Sequence, residues 1–407
     1  MHLNALYYAD RKILEMRNIL TKNTLALAIA GTFCANAWAL DPQYIRLTDG
    51  ITFTPTIDVS EKYDDNFRAE KNKESSWITT LAPSFQLNAD TDKSAYQLQY
   101  VLSSDTFHSS HKDNNVDHHF TGDAGFEFNS RNRLVFNAGY HQIEETASAD
   151  QKSINDKFNT KNIGGIYTFG ADSARTQVEF AANYDELRYD NNERTTDGVR
   201  LNSDKERDAS GVRSTVFYAV APKTKVLLEG RHTNYDYKSF KVRDSKNTGL
   251  LAGVSWDSTA KTTGTFKIGR EKKSFDKSVF SDKTSGMWEA GVTWDPLTYS
   301  SFNLTTRQGF DEGENKASTI KTRNTRLGWT HGWTDRISTE TSYARTDKKY
   351  QDISRKDEID NYGVSVNYQA RRWLDLGLGY TFTNNSSDVK SERYKRNVYA
   401  LTVSASL

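Results

Sequence analysis

The chain has 407 residues with 54 Lys and Arg against 53 Asp and Glu, a formal net charge of +1, and its mean hydropathy is −0.76. Hydrophobic residues make up only 36%, a value typical of soluble or disordered chains, yet 21 Tyr and 20 Phe are too many for disorder. The near-neutral charge gives no support to nucleic-acid binding. A fold in which only every second residue faces an apolar environment reconciles these values.

Residues 1–39 are expected to form a cleaved signal peptide. Arg17 and Lys22 are basic, an apolar run follows from Leu25 to Phe33, and Ala37-Trp38-Ala39 has the A-x-A form of a cleavage site. The apolar run is too short to span a bilayer. The single cysteine lies inside this segment, so the mature chain is expected to have no disulfide. Residues 40–50 then form a short periplasmic segment.

From residue 51 to residue 407 the sequence repeats one unit: an alternating segment, a short turn, a second alternating segment and a longer polar loop. Alternation of apolar with small or polar residues predicts strands with one apolar face, about 18 in number. No amphipathic helix is available to cover these faces, so lipid must cover them. The predicted fold class is all-β, a transmembrane outer-membrane antiparallel β-barrel. Pro55 and Pro83 fall inside strands and predict a bulge or weak pairing.

The clearest alternation closes the chain. Leu374 to Phe382 and Tyr399 to Leu407 each alternate apolar with small or polar residues, and a polar stretch separates them. This pattern predicts the closing hairpin of the barrel. Leu407 stands where barrels usually end in an aromatic residue, so the predicted signal to the β-barrel assembly machinery, an expected partner, is a weak one.

The connections alternate in length and predict the orientation. Long charged loops, such as Ser148 to Thr160 and Asn191 to Ser203, are expected outside the cell, and short turns and both termini in the periplasm. The predicted tight turns are Ser130-Arg131-Asn132, Asp172-Ser173, Pro222-Lys223, Ser258-Thr259-Ala260, Pro296-Leu297 and Asp335. Tryptophans near strand ends predict two aromatic girdles, the candidates being Trp77, Trp256, Trp288, Trp294, Trp333 and Trp373.

Charged residues on the non-lipid face of the strands are candidates for the lining of the lumen. Both signs are present, and two interpretations remain open: a hydrated conduit for sugars, or inward charges paired across strands for structure alone. The alternation assigns to this face Asp123, Glu127, Glu179, Glu229, Arg231, Lys267, Glu289, Arg307, Arg326, Glu340 and Asp375.

The sequence offers little for catalysis, and no catalytic, metal or cofactor site is predicted. The residues His108, His111, His118 and His119 cluster with Asp113 and Asp117, which could bind a divalent metal but more simply form a solvated loop. There is no G-x-S-x-G elbow, phosphate loop or zinc-protease helix. Carboxylate pairs for glycoside hydrolysis cannot be singled out among 53 acidic residues.

Several segments resemble the outer-membrane β-barrel porin 2 family, which includes the EpsL-like proteins associated with exopolysaccharide and capsule synthesis. The resemblance implies a role in surface polysaccharide export or in production of the biofilm matrix. It carries over no site residues. The matching stretches are Thr54 to Asn66, Ser75 to Leu87, Asn129 to Leu134, Thr259 to Phe275, Arg371 to Phe382 and the terminal RNVYALTVSASL.

Three function classes follow. A conduit for polysaccharide export is favoured by the resemblance and by a strand number that leaves an aqueous channel. A general diffusion or sugar-uptake porin would show a long loop folded inward and a separated acidic and basic wall. A surface adhesin would carry longer outer loops. For export, the expected partners are the polysaccharide, an outer-membrane polysaccharide export protein, membrane lipid and lipopolysaccharide.

Overall fold

The computed structural model describes residues 44–146, 155–191, 202–259, 261–314 and 316–406. The predicted signal peptide, the terminal Leu407 and most of the two long loops named above lie outside these residues. Short 3₁₀ turns occur at His111–Asp113, Asn202–Asp204, Lys241–Arg243 and Lys390–Glu392. The strands are β1 (Ile45–Thr48), β2 (Ile51–Asp64), β3 (Ser76–Asp90), β4 (Ser94–Phe107), β5 (Asn115–Asn129), β6 (Asn132–Glu145), β7 (Asp156–Phe169), β8 (Thr176–Tyr189), β9 (Arg207–Ala221), β10 (Thr224–Tyr237), β11 (Ser245–Thr259), β12 (Thr262–Phe275), β13 (Lys283–Leu297), β14 (Ser300–Glu312), β15 (Thr319–Gly332), β16 (Ile337–Tyr350), β17 (Lys356–Arg371), β18 (Leu374–Ser387) and β19 (Tyr394–Ser406).

Strands β2 to β19 form a closed ring. Each pairs antiparallel with the next, and β19 pairs back with β2 from Val398 opposite Asp64 to Ser406 opposite Thr56. The prediction of an antiparallel 18-strand barrel is confirmed. Closure pairs every strand on both sides and removes the open edges that would invite aggregation.

Strand β1 is an addition that the alternation did not predict. It lies within the segment 40–50 and pairs with the start of β2, Ile45 opposite Phe53. Because β3 occupies one edge of β2 along its whole length and β19 ends at Thr56, β1 covers the part of the other edge that β19 leaves open.

The apolar side chains lie on the outside of the ring. Leu98 of β4, Leu250 of β11 and Leu378 of β18 are 59%, 60% and 64% exposed, and their strand neighbours on either side face inward. A water-soluble protein would bury such residues, so lipid must cover this belt. No helix among the described residues is long and apolar enough to cross a membrane.

The connections fall into two classes at opposite ends of the barrel. The turns that follow β3, β5 and each later odd-numbered strand up to β17 lie at one end, which is here named the short-turn end. The opposite end is named the long-loop end. Several predicted boundaries were wrong. Asn132 belongs to β6, and Ser258 and Thr259 belong to β11. Pro296-Leu297 belongs to β13, and the turn is at Thr298-Tyr299, because Leu297 still pairs with Ser300. Asp156 to Thr160 belongs to β7, since this mostly polar segment pairs with β6 beyond the apolar belt.

Pro55 and Pro83 each lie where the pairing on one side of the strand is interrupted. The β3–β4 pairing skips from Leu81 opposite Ser104 to Ser84 opposite Val101, which leaves Pro83 in the gap. Pro55 lies between the end of the β19 pairing and the start of the β1 pairing. The prediction of weak pairing at these positions is confirmed, because proline has no N–H to donate.

Candidate conduit through the barrel

The charged candidates all lie on the inner face of the wall. On each strand they alternate with exposed apolar side chains, as Glu229 does with Leu228 and Lys267 with Ile268. The same placement holds for Asp123, Glu127, Glu179, Arg231, Glu289, Arg307, Arg326, Glu340 and Asp375.

The structure brings four of them together in one network. Arg231 of β10 donates to both carboxylate oxygens of Glu289 on β13, at 2.5 and 2.8 Å, and also to Glu229. Lys267 of β12 lies 2.7 Å from Glu289 and 3.2 Å from Glu229. Thr215 of β9 donates a further hydrogen bond to Glu229. Two cations and two anions neutralise one another, as expected for charges removed from bulk water.

The remaining candidates lie outside this four-residue network. Arg307 pairs with Asp311 on its own strand at 2.5 Å, and Arg326 acts electrostatically on Glu340 of the neighbouring strand. Glu179 of β8 acts electrostatically on the network through Glu229. Asp123 and Glu127 lie on β5, and Asp375 on β18.

Hydroxyl and amide side chains dominate the opposite side of the inner face, from β17 through β19 and β2 to β4. This surface is here named the neutral arc. Neighbouring members are joined by hydrogen bonds, such as Thr383 to Asn361 at 2.7 Å and Gln99 to Ser84 at 3.3 Å. The pairing places in adjacent positions Asn361, Thr383, Ser365, Asn367, Thr402, Ser60, Thr80, Ser84, Gln86, Gln99, Asn88 and Gln97.

The tip of the β14–β15 hairpin folds into the barrel. Pairing of β14 with β13 stops at Gln308, whereas pairing of β14 with β15 continues to Glu312 opposite Thr319. The backbone N–H of Phe310 then donates at 2.7 Å to Glu271, an inward residue of β12. Since β12 lies two strands away from β14, the end of β14 has separated from β13 and crossed over its inner face, while β15 stays paired with β16 as far as Ile320.

A buried polar cluster holds this inward tip. Glu312 accepts a hydrogen bond of 2.7 Å from Tyr237 of β10 and is ion-paired with Lys273 of β12. Tyr237 is 0% exposed and the Lys273 side chain 1% exposed, so the cluster is shielded from water. Arg207 of β9 lies over the Tyr237 ring, 5.9 Å from its centre. The alternation alone could assign these residues to the inner face, but it could not show that they converge.

A second set of contacts ties the tip to the β16–β17 connection. Ser318 donates to Asp352, and Lys283 lies 2.5 Å from the other carboxylate oxygen. Partial burial raises the pKa of Asp352, but the hydrogen bonds from Lys283 and Ser318 and the Lys283 charge lower it by more, so the net pKa is below its ordinary value. The carboxylate is therefore the stable form in the fold.

The inward tip also extends toward strands on the far side of the lumen. Glu314 lies close enough to Glu145 of β6 and Tyr189 of β8 to act on both electrostatically. Around the ring, β7 to β13 lie between β6 and β14, and β9 to β13 lie between β8 and β14. The hairpin thus narrows the barrel at its long-loop end.

The tryptophan candidates lie near both ends of the strands. Trp77 is the second residue of β3 at the long-loop end, and Trp288 lies further into β13, where pairing with β14 begins. Trp256, Trp294, Trp333 and Trp373 lie at the short-turn end, and the last three are 48%, 60% and 48% exposed.

The histidine cluster does not assemble into one site. His118 bonds to the Tyr100 hydroxyl at 2.9 Å, whereas His119, on the other face of β5, contacts His141 at 3.0 Å. Asp113 is held by Arg68 of the β2–β3 loop. In the part of the chain that the structure describes, no group of three or more His, Cys, Asp or Glu residues is arranged to hold a metal ion.

Comparison with known proteins gives one family match. A family model described as Putative beta-barrel porin 2 matches residues 50–407, and a search of curated proteins finds no significant match. Among solved structures, the chain is similar to OccK2 (OpdF) from Pseudomonas aeruginosa in complex with glucuronate, at 10% identity and TM-score 0.49, covering 87% of this chain and 98% of that one. It is also similar to the siderophore receptor PirA from Pseudomonas aeruginosa, at 12% identity and TM-score 0.43, covering 89% and 81%.

Proposed function

Because the chain belongs to the beta-barrel porin 2 family and forms an integral outer-membrane barrel, we propose that it is a non-enzymatic conduit through which a polysaccharide leaves the cell. The observation that carries the proposal is the neutral arc, an inner surface on which hydroxyl and amide groups outnumber the charged ones, such as Asp58, Lys62 and Asp375. Such groups can form hydrogen bonds to sugar hydroxyls and replace them with hydrogen bonds to water as the sugar moves on.

The energetics of this surface suit a sliding polymer. A neutral hydrogen bond contributes only about 0.5–1.5 kcal/mol net, so each sugar contact on the arc is weak and readily replaced. The charges across the lumen are largely paired, as in the Arg231–Glu289 contact, so they do not present one strong trap. Conduction requires binding that is favourable enough for entry and weak enough for release.

The ring size is consistent with a conduit that has a movable restriction. A barrel of 16 to 18 strands leaves an aqueous channel, and here the β14–β15 hairpin narrows it at one end. Its polar contacts join Glu312 to Tyr237 and Lys273, and Ser318 to Asp352, beside a small apolar cluster of Ala317, Ile320 and Tyr350. We propose that these contacts open when polymer enters.

Export also requires a partner on the periplasmic side. In this proposal the short turns and both termini face the periplasm, and an outer-membrane polysaccharide export protein delivers the chain to the lumen. The short turns, such as Pro222-Lys223, are too small to bridge the periplasm by themselves. The product would be capsule or biofilm exopolysaccharide.

The test of function is deletion of the gene. We expect surface polysaccharide to be lost while polymerisation at the inner membrane continues, and the wild-type gene to restore it. Unchanged surface polysaccharide in the deletion strain would contradict the proposal.

The orientation has its own test. An epitope inserted after Asn191 in the β8–β9 loop should be labelled on intact cells, and one inserted at Pro222-Lys223 should be labelled only after permeabilisation. The reverse pattern would overturn the assigned orientation.

A second candidate is a diffusion or sugar-uptake porin, and the inward hairpin favours it because a folded-in loop is the feature expected of that class. In that case the deletion strain would keep its surface polysaccharide and lose uptake of small solutes. The two candidates therefore give opposite results in the same strain.

A further inference from the structure

A groove of about 1250 Å³ lies on the outer surface of the barrel between β6 and β13. Most of the side chains around it face lipid and are apolar, including Phe136, Ile163, Phe180, Val212 and Leu250, which are between 44% and 60% exposed. The groove is therefore part of the surface that contacts the membrane, separate from the inner conduit.

Basic side chains border this groove toward the long-loop end. On β12 the outward residues pass from Ile268 to Arg270 and then Lys272. On β10 the outward residues run from Leu228 to His232. On β11 they run from Leu250 to Lys246, which is also toward the long-loop end. The pairing places these residues side by side, with Leu250 opposite Arg270 and Thr248 opposite both His232 and Lys272.

Arg270 is the least compensated of these cations. Lys272 lies 2.9 Å from Asp282, and Lys246 lies 3.6 Å from Asp276. Within the described ranges no hydrogen-bond or ion-pair partner of the Arg270 guanidinium is found, although the residue is exposed and borders Leu250 and Ile268. A charged side chain that faces lipid is costly unless an anion or water meets it.

We propose that this groove binds a phosphorylated glycolipid of the outer leaflet, the lipid A part of lipopolysaccharide. The acyl chains occupy the apolar groove, and a phosphate lies on Arg270 with Lys272 and His232 beside it. Guanidinium groups bind phosphate through two parallel hydrogen bonds, which fits an arginine whose donors the protein leaves open. Charge complementarity selects this occupant over a second copy of the chain, whose matching groove would bring cations against cations.

The bound lipid would also affect the stability of the barrel. A lipid bound across β6 to β13 would stabilise the part of the ring that carries the inward charge network and receives the β14–β15 tip. Ligand that binds only the folded barrel raises its stability by mass action.

The experiment uses the full barrel in detergent, titrated with bisphosphorylated lipid A or with the same lipid after removal of both phosphates, and binding is followed by native mass spectrometry. Arg270→Leu is the test variant and Arg270→Lys the conservative one. Arg323→Leu is the matched control, because this exposed arginine of β15 is already paired with Asp347 at 2.7 Å. Heat-modifiable migration on gels checks that each variant is folded.

We expect Arg270→Leu to lose about tenfold or more in affinity for bisphosphorylated lipid A, the value of one charge-assisted contact. Arg270→Lys should lose less, Arg323→Leu should bind as the wild type does, and the dephosphorylated lipid should not distinguish the proteins. Equal binding of both lipids, or an unchanged affinity of a folded Arg270→Leu variant, would overturn the proposal. A dimer that depends on Arg270 and ignores lipid would also overturn it in favour of a second copy as the occupant.

Discussion

Glu289 shows how single residues set the charge of the inner wall. Its carboxylate accepts a hydrogen bond from Arg231 and lies 2.7 Å from the Lys267 amine, so this one negative charge partly neutralises two positive charges. Removing one partner of such a group leaves the others uncompensated. The ion selectivity of the conduit therefore depends on individual pairs more than on the net charge of the chain.

Glu289→Gln should shift the channel toward anions. The substitution keeps the side-chain volume but leaves the positive charge of Arg231 and Lys267 less neutralised, so reversal potentials in a salt gradient should move toward the anion value. Glu358→Gln is a suitable control, because Glu358 belongs to an exposed ion pair with Arg345. An unchanged reversal potential in Glu289→Gln would show that the network is not part of the ion path.

Leu401→Lys tests the outer face at residue scale. Leu401 is 54% exposed and lies opposite Leu378 in the closing hairpin, so a lysine there meets lipid at a cost of about 2–4 kcal/mol near the midplane. We expect less barrel in the outer membrane and easier unfolding in urea. Thr402→Lys, one residue further on the inner face, should be tolerated. Equal yields of the two variants would argue against the assigned faces.

At the scale of elements, the β14–β15 hairpin departs from the regular wall. Up to Gln308 it behaves as two ordinary barrel strands. Beyond that residue β14 separates from β13 and contacts β10 and β12, while β15 stays paired with β16 as far as Ile320. Its anchoring groups include buried polar side chains, which are stable only when their partners are present, and the apolar cluster of Ala317, Ile320 and Tyr350. This is therefore the element that can restrict the lumen.

Shortening this hairpin should widen the conduit. Gly309 and Thr322 already pair, so residues 310–321 can be replaced by a two-residue turn that removes only the last two β15–β16 pairs, those of Ile320 and Lys321. Single-channel conductance should rise clearly above that of the wild type. A shortened β12–β13 connection, residues 276–282, is the matched control and should leave conductance unchanged. Equal conductance of the hairpin variant and the wild type would contradict a restriction at this place.

The strands and the inward tip differ in how far the sequence determines them. Strand faces follow from a local period of two, so the alternation predicted the ring of 18 strands and the weak pairing at Pro55 and Pro83. The tip depends on contacts between residues 75 positions apart, such as Tyr237 with Glu312, and a local pattern carries no information about them. Strand β1 was missed because four residues are too few to show a period.

At the scale of the whole molecule, closure gives the inner wall two unlike sides. The charged strands β8 to β14 face the neutral arc of β17 to β4 across the lumen. The alternation assigned the inward charges one by one, but only the ring order shows that Arg231, Lys267, Glu229 and Glu289 share one network. A polymer in the lumen would thus contact hydroxyls and amides on one side and a paired set of charges on the other.

The most direct measurement of this arrangement is the current through single wild-type barrels in a planar bilayer. Surface polysaccharide purified from the bacterium that makes the protein is added to the short-turn side. We predict an ion-conducting channel with brief reversible blocks whose frequency rises with polymer concentration, and shorter blocks in the hairpin-shortened variant. A conducting channel that no polymer blocks from that side, while small sugars do block it, would contradict polysaccharide export.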